Sequence, residues 1–150
     1  MTLPEFRTRF ETDEACRQHL MARRWPNGFV CPRCENHRGW LLRSRPLVQC
    51  ARCGYQASVT AATIFHGSHT PLHKWFMAIY LVAQDKRGIS ALRLAEMIDV
   101  CQETAWLMLR TLRRAMADRD AQHMLEGTIE MDDAFFGGED RAGNVGRGTT

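Results

Sequence analysis

The sequence predicts a small multi-module α+β protein, and three patterns along its 150 residues predict it. Two cysteine pairs lie among short apolar runs that are typical of strands. Further along the chain, apolar residues recur with the 3.6-residue period of helices, and an alternating acidic stretch then reads as one more strand. The predicted modules are an N-terminal helical segment at 1–28, a cysteine-paired ribbon at 29–62, a three-helix block at 63–126 and a last segment at 127–150.

Composition excludes several classes of protein. Hydrophobic residues make up 45% of the chain and charged residues 25%, which is typical of a globular protein and not of a disordered one. No apolar run approaches the roughly 18 residues that a transmembrane helix needs. The first 25 residues contain acidic side chains and no apolar core, which argues against a secretory signal. We therefore expect a cytoplasmic protein that contacts no membrane.

Charge is unevenly distributed around a net value of +3. Residues 1–60 contain 10 Lys and Arg against 5 Asp and Glu, whereas residues 127–150 contain 2 against 5. The basic first part could contact phosphate directly, while the acidic last part could do so only through a metal ion.

The first predicted helix runs from Thr12 to Arg24. Thr12 suits the N-cap, and the acidic Asp13 and Glu14 suit the first turn. The segment 25–28, Trp-Pro-Asn-Gly, ends the helix. Beyond it, Leu41–Leu42 and Leu47–Val48 flank Pro46 and could form the two arms of a β-ribbon.

Four cysteines form two C-x2-C pairs that are separated by 15 residues, and this spacing predicts a structural zinc site. Zn²⁺ takes four thiolates in a tetrahedron, so four protein ligands leave no open position for catalysis. A redox pair and disulfides are the weaker alternatives. His37 could replace one ligand but is expected at the surface, and Cys16 and Cys101 are expected to be buried. The predicted ligands are Cys31, Cys34, Cys50 and Cys53, and Arg33 and Arg52 could offset their negative charge.

Three helices are predicted in the following block. Thr70–Pro71 supplies an N-cap and a first-turn proline, and Ser90 opens the second helix. Asp99 lies in the break before the third helix and tolerates a left-handed backbone. The residues expected to face inward are Leu72, Trp75, Phe76, Ile79 and Ala83 in the first helix, Ala91, Leu94, Ala95 and Ile98 in the second, and Ala105, Met108, Leu109, Leu112 and Met116 in the third.

The tight break between the last two helices indicates a helix-turn-helix. In that motif the N-terminal residues of the last helix contact base edges, which here are Gln102, Glu103, Thr104 and Trp106. Arg110, Arg113 and Arg114 would then contact phosphates. The alternative is a plain helical hairpin with solvated arginines. In either case Trp75, Phe76 and Trp106 are expected to be core or interhelix aromatics rather than base-stacking platforms.

The acidic stretch 129–133 would place Glu130 and Asp132 on one side of a strand. Two such carboxylates could hold Mg²⁺ or Mn²⁺, although a solvated acidic strand end is the more common arrangement.

Five segments of the chain, taken in order, resemble zinc-ribbon DDE insertion-sequence transposases of the ISXO-like type. They are RWPNGFVCPRC, VQCARCGYQASVTAATIF, TPLHKWFMAIYLVAQ, ISALRLAEMIDVCQETAWLMLRTLRRAM and IEMDDAFFGG. The resemblance implies a zinc ribbon, a helix-turn-helix region and the first strand of an RNase H-like catalytic domain. It places the first catalytic aspartate at Asp132, where Asp133 replaces the glutamate that the family usually has.

The resemblance further implies a protein of bacterial type whose partner is DNA, at the terminal repeats of a mobile element. An oligomer or a full-length transposase is a further possible partner. The family's catalytic domain needs over a hundred residues more, so we expect a truncated transposase that is inactive alone. Mg²⁺ or Mn²⁺ would bind only to a completed catalytic domain. The alternatives are a non-enzymatic DNA-binding regulator and a zinc-ribbon adaptor that binds proteins.

Overall fold

A computed structural model describes residues 1–42, 45–85 and 87–121. Two helices come first, three short strands form an antiparallel sheet, and three helices follow. The elements are α1 Leu3–Arg9, α2 Asp13–Arg24, β1 Gly39–Leu41, β2 Leu47–Cys50, β3 Gln56–Ser58, α3 Leu72–Gln84, α4 Ala91–Ile98 and α5 Gln102–Asp120. The predicted strand over 128–136 lies outside the described residues, as does the whole of the predicted segment 127–150.

Of the two N-terminal helices, only α2 was predicted from the sequence. The hydroxyl of Thr12 accepts a hydrogen bond from the backbone N–H of Ala15 at 3.2 Å, which confirms the predicted N-cap of α2. The helix α1 was not predicted. It is seven residues long, and the Glu5 carboxylate closes its first turn by accepting from the backbone N–H of Thr2 at 2.8 Å.

The sheet has the order β1-β2-β3, with antiparallel pairing throughout. Leu41 lies opposite Val48, which confirms the predicted ribbon around Pro46. In the next pair Val48 lies opposite Ala57, and both residues are buried. The guanidinium of Arg24, at the end of α2, donates to the carbonyls of Val59 at 3.2 Å and Ala61 at 2.6 Å, which ties the sheet to the N-terminal helices.

All five helices share one hydrophobic core. The helix α1 contributes Phe6, and the turn after it contributes Phe10, whose ring lies 4.9 Å from that of Phe76 in α3. The N-terminal helices therefore pack against the helical block rather than forming a separate layer. The predicted domain boundaries remain predictions.

The helix α3 begins one residue later than predicted. Pro71 occupies the N-cap position, and the first helical residue is Leu72. The hydroxyl of Thr70 does not cap it; the Asp13 carboxylate instead accepts from the backbone N–H of His73 at 3.0 Å. Leu72, Trp75 and Phe76 are buried as predicted, but Ala83 is exposed.

The helices α4 and α5 agree closely with the prediction. Ser90 caps α4 through a 3.2 Å hydrogen bond to the backbone N–H of Arg93, and Asp99 ends it with a left-handed backbone at φ 54°. Leu94, Ala95 and Ile98 pack into the core together with Ala105, Met108, Leu109 and Leu112. Met116 was expected to face inward but is 53% exposed, since α4 has only eight residues and does not reach the later turns of α5.

Candidate metal centre and nucleic-acid interface

The four predicted zinc ligands converge at one point. The sulfur atoms of Cys31, Cys34, Cys50 and Cys53 all lie within 4.8 Å of one another. The distance is 3.6 Å both between Cys31 and Cys53 and between Cys34 and Cys50. A tetrahedral site with Zn–S bonds of about 2.3 Å places its sulfurs about 3.8 Å apart. The arrangement therefore fits zinc, while sulfurs at these distances are far outside disulfide bonding.

Each cysteine pair sits on the same kind of backbone turn. The N–H of Cys31 donates to the carbonyl of Asn36 at 3.0 Å, and the N–H of Cys50 donates to the carbonyl of Tyr55 at 2.9 Å. The residue that follows the second cysteine of each pair has a left-handed backbone, with φ 58° at Glu35 and φ 68° at Gly54. These matched turns aim two sulfurs from each pair at the same point.

Hydrogen bonds favour the thiolate form at Cys50. Its sulfur accepts from the backbone N–H of Arg52 at 3.4 Å and from the Asn36 amide at 3.7 Å. The backbone N–H of Cys53, together with these groups and the Cys34 thiol, lowers the pKa of Cys50, whereas desolvation and hydrogen bonds to the other three cysteines raise the pKa of Cys34. Thiolates are the form that binds a metal, so these donors prepare the site for zinc.

The remaining histidine and cysteines fall outside this cluster. His37 is exposed, as expected of a surface histidine. Cys16 is buried in the helical core, and burial raises the pKa of its thiol to about 11. Cys101 was predicted to be buried but is exposed, because it occupies the N-cap position of α5 in a surface turn.

The predicted base-contacting residues lie at the N-terminal end of α5. Gln102, Glu103 and Trp106 are exposed, and together with Leu107 they line a shallow hollow. Trp106 is 53% exposed, so its interpretation as a packing residue is wrong, whereas Trp75 and Phe76 are packed in the core. Thr104 is half-buried, and its hydroxyl lies 3.0 Å from the Cys101 sulfur.

The predicted phosphate contacts follow along the same helix. The side chains of Arg110, Arg113 and Arg114 all belong to exposed residues. The guanidinium of Arg110 lies over the ring of Trp106, 5.6 Å from its centroid. Arg113 is partly engaged, since it donates to the carbonyl of Ile89 at 3.5 Å. The outward side of α5 therefore presents a tryptophan and positive charge together.

A contact that the sequence did not predict fixes the turn before α5. The ammonium of Lys74, in α3, donates to the backbone carbonyl of Asp99 and lies 3.4 Å from its carboxylate. The two residues are 25 positions apart, so no local pattern could have paired them. This contact holds the α4–α5 turn against α3.

Asp132, the predicted first catalytic aspartate, lies outside the described residues, together with Glu130 and Asp133. Within residues 1–42, 45–85 and 87–121, the cluster of four cysteines is the only group of three or more metal-ligating side chains. No helix in this part of the chain is long and apolar enough to cross a membrane.

Comparison with known protein families supports the assignment of a zinc ribbon. Residues 11–56 match the transposase zinc-ribbon domain of the IS1595 type. This range covers α2 and the four cysteines and ends at the start of β3. The chain therefore contains a transposase zinc-ribbon domain.

The chain is also similar to a protein from the archaeon Halobacterium salinarum described as an uncharacterized protein in transposable element ISH50. The two are 32% identical over 127 residues, which is 83% of this chain and 40% of that relative. The chain thus spans less than half the length of the relative that it matches. The expectation of a bacterial type gains no support from this relative, and no solved structure matches the chain.

Proposed function

We propose that this chain is the DNA-binding unit of a transposase and that it holds the terminal repeats of its own mobile element. One observation carries the proposal: a transposase-type zinc ribbon is followed by α4, a three-residue turn and α5 with an outward face of arginines. The similarity to a protein of a transposable element supports the same assignment.

In this proposal α5 is the recognition helix of a helix-turn-helix. Its first turn presents Gln102 and Glu103, whose side chains suit adenine and cytosine edges respectively. Trp106 and Leu107 add apolar surface that could contact thymine methyl groups. Thr104 is half-buried against Cys101, so we assign base contact chiefly to the other residues of this turn.

The arginines supply affinity rather than specificity. Arg110 and Arg114 are one helical turn apart on the exposed side of α5, a spacing that suits successive phosphate contacts. Arg113 also bonds the carbonyl of Ile89, so its contact with DNA would compete with a structural role. The buried side of α5 and the contact between Lys74 and Asp99 hold this surface in place.

The test is a competition between two labelled duplexes. One carries the terminal repeats of the element that encodes the chain, and the other has the same base composition in scrambled order. We expect the zinc-loaded protein to prefer the first and to bind both less tightly as salt rises, because phosphate contacts release counterions. Equal affinity for both would exclude end recognition. Binding to neither duplex would overturn the proposal and favour a protein-binding adaptor.

A further inference from the structure

One face of the sheet is open and carries a tryptophan. Trp40 lies opposite Gln49 in β2, and Gln49 lies opposite Gln56 in β3, so the three residues form a row across all three strands. Trp40 is 53% exposed, Gln56 is exposed and Gln49 is half-buried. We call Trp40, Gln49 and Gln56 the ribbon face.

The opposite face of the sheet carries the buried residues of β2 and β3, while Leu41 at its β1 edge is 51% exposed. Because successive residues of a strand point to opposite sides, Val48 and Ala57 face away from this row, and both are 3% exposed. A Cβ at Gly39 would lie 2.7 Å from the ring of Phe29, so Phe29 closes over that packed side. The sheet therefore has a formed core without Trp40, and packing gives no reason for a large aromatic on the ribbon face.

Positive charge surrounds the ribbon face. Residues 29–62 contain five arginines and one glutamate. Arg38 and Arg52 lie at one end of the sheet. The backbone N–H of Ala51, next to Arg52, donates to the Arg38 carbonyl at 2.9 Å and holds the two backbone segments together. Arg45 lies at the other end, before β2. All three are exposed, and none forms an ion pair with another residue in the described part of the chain.

The shape of this surface favours unpaired nucleotides over a duplex groove. A major groove about 12 Å wide admits an α-helix or a two-stranded ribbon. Three strands at about 4.8 Å spacing, with their side chains, are wider than that. In a duplex the faces of the bases are covered by their neighbours, so a flat exposed tryptophan has nothing to stack on. Sheet faces with an aromatic residue and flanking arginines are typical of single-strand contacts.

We propose that the ribbon face is a second DNA contact, which stacks an unpaired base on Trp40. The amides of Gln49 and Gln56 then reach the edges of that base or its neighbour, and Arg38, Arg45 and Arg52 contact the phosphates on either side. This inference rests on the proposed function, because it assumes that the chain binds DNA, and it adds unpaired strands to the DNA that the chain takes.

The experiment measures affinity for three labelled DNAs: a single strand, a blunt duplex, and the same duplex with a single-stranded overhang. The test variant is Trp40→Leu, and the matched control is Trp106→Leu, since both tryptophans are 53% exposed. We expect Trp40→Leu to weaken binding of the single strand and of the overhang about tenfold, as loss of one base stack predicts. Its affinity for the blunt duplex should change by less than about twofold. Trp106→Leu should instead weaken binding of both DNAs that contain a duplex and should leave single-strand affinity within about twofold.

A third variant, Trp40→Phe, separates stacking from a change in folding. Phenylalanine keeps an aromatic ring at this position, so Trp40→Phe should retain most of the single-strand affinity that Trp40→Leu loses. Zinc content, measured on each variant, should stay equal to that of the unmodified protein.

The outcomes distinguish this inference from the proposed function. If the unmodified protein binds the blunt duplex with salt sensitivity but Trp40→Leu retains full single-strand affinity, the ribbon-face inference alone is overturned. Equal losses in Trp40→Leu and Trp40→Phe would also overturn it, because stacking would then not explain them. Absence of binding to any of the three DNAs would remove the proposed function and the inference together.

Discussion

Asp13 shows how one side chain can serve two helices. It lies in the first turn of α2, where an acidic residue suits the helix dipole. Its carboxylate also accepts from the backbone N–H of His73 at 3.0 Å and lies 2.6 Å from the Nδ1 of the same histidine. It therefore closes the start of α3, where Pro71 offers no side-chain cap.

This contact makes stability depend on pH. Burial raises the pKa of Asp13, but hydrogen bonds from His73 and from the backbone of Leu72 outweigh it, so the pKa lies below its ordinary value of 3.8. A lowered pKa in the folded state means that the ionised group contributes stability above about pH 4, which is lost as the pH falls through the lowered value. We expect Asp13→Ala to reduce the free energy of unfolding by about 1 kcal/mol at pH 7.

The measurement is denaturant unfolding of both proteins from pH 7 to pH 3, with Glu14→Ala as the control because it removes the same charge one residue away. The difference in the free energy of unfolding between Asp13→Ala and the unmodified protein should narrow as the pH approaches 3. Loss of zinc at low pH affects both proteins alike and so does not change this difference. A difference that stays constant across this range would mean that the Asp13 carboxylate charge contributes nothing.

Four of the six cysteines lie in the metal-site cluster and two do not, and substitution should separate the two groups. Cys34→Ser removes one of four sulfurs from a site that has no spare ligand, so we expect it to lose most of the bound zinc. Cys101→Ser is the matched control, because Cys101 is exposed and serine is a better N-cap for α5. Metal analysis after desalting gives the readout; full zinc in Cys34→Ser would refute the four-cysteine site.

At the scale of single residues, local chemistry was predictable and distant pairing was not. The cysteine spacing correctly predicted which four sulfurs cluster, and Thr12 and Ser90 cap α2 and α4 as predicted. The pairing of Asp13 with His73 joins residues 60 positions apart, and a local pattern carries no information about such a contact. Exposure of Cys101 and Trp106 also depends on what packs beside them, which the period of the helix does not specify.

At the scale of elements, α5 carries the proposed DNA contacts, and its two sides can be compared directly. Arg110 and Arg119 are nine residues apart, which places them on opposite sides of the helix and about 13 Å apart along its axis. Each substitution by alanine removes the same charge from the same helix, so a nonspecific electrostatic effect would be similar for both.

We expect Arg110→Ala to weaken binding of every DNA sequence alike and to reduce the salt dependence by about one counterion. Arg119→Ala should have a clearly smaller effect, and Gln102→Ala should instead change which sequence is preferred. Equilibrium binding at several salt concentrations checks all three variants. Equal effects of the two arginine substitutions would contradict the orientation assigned to α5.

Helices with a clear repeat or a cap could be predicted, whereas the seven-residue α1 could not. The helices α2, α4 and α5 have a capping residue or a long apolar stripe. The helix α1 has seven residues and buries only Phe6, which is too little for a periodic signal. The inward prediction for Met116 was wrong because period alone does not say where the partner helix ends.

At the scale of the whole molecule, buried residues form two separate groups. One is the helical core, which joins residues from Phe6 to Leu112. The other lies in the ribbon, around Val48, Ala57 and the buried cysteines, and it is not part of that core. So small a ribbon buries little apolar surface, and we expect zinc binding to supply much of its folding free energy.

Removal of zinc should therefore act on one part of the molecule. We expect a chelator to unfold the ribbon, with loss of amide protection in β2 and β3, while the helices keep most of their signal in far-ultraviolet circular dichroism. Hydrogen exchange followed by mass spectrometry checks this at the level of segments. Simultaneous loss of protection in α3 and α5 would show that the ribbon and the helical core fold as one unit.

The most direct test of the central claim measures zinc content and duplex affinity on the same purified sample, at two salt concentrations. The account predicts about one zinc per chain and an affinity that falls steeply between the lower and the higher salt concentration, since Lys and Arg contacts to phosphate release counterions. A chain with one zinc and no duplex binding at either concentration would contradict the DNA-binding assignment. A chain without zinc would contradict the ribbon on which that assignment is built.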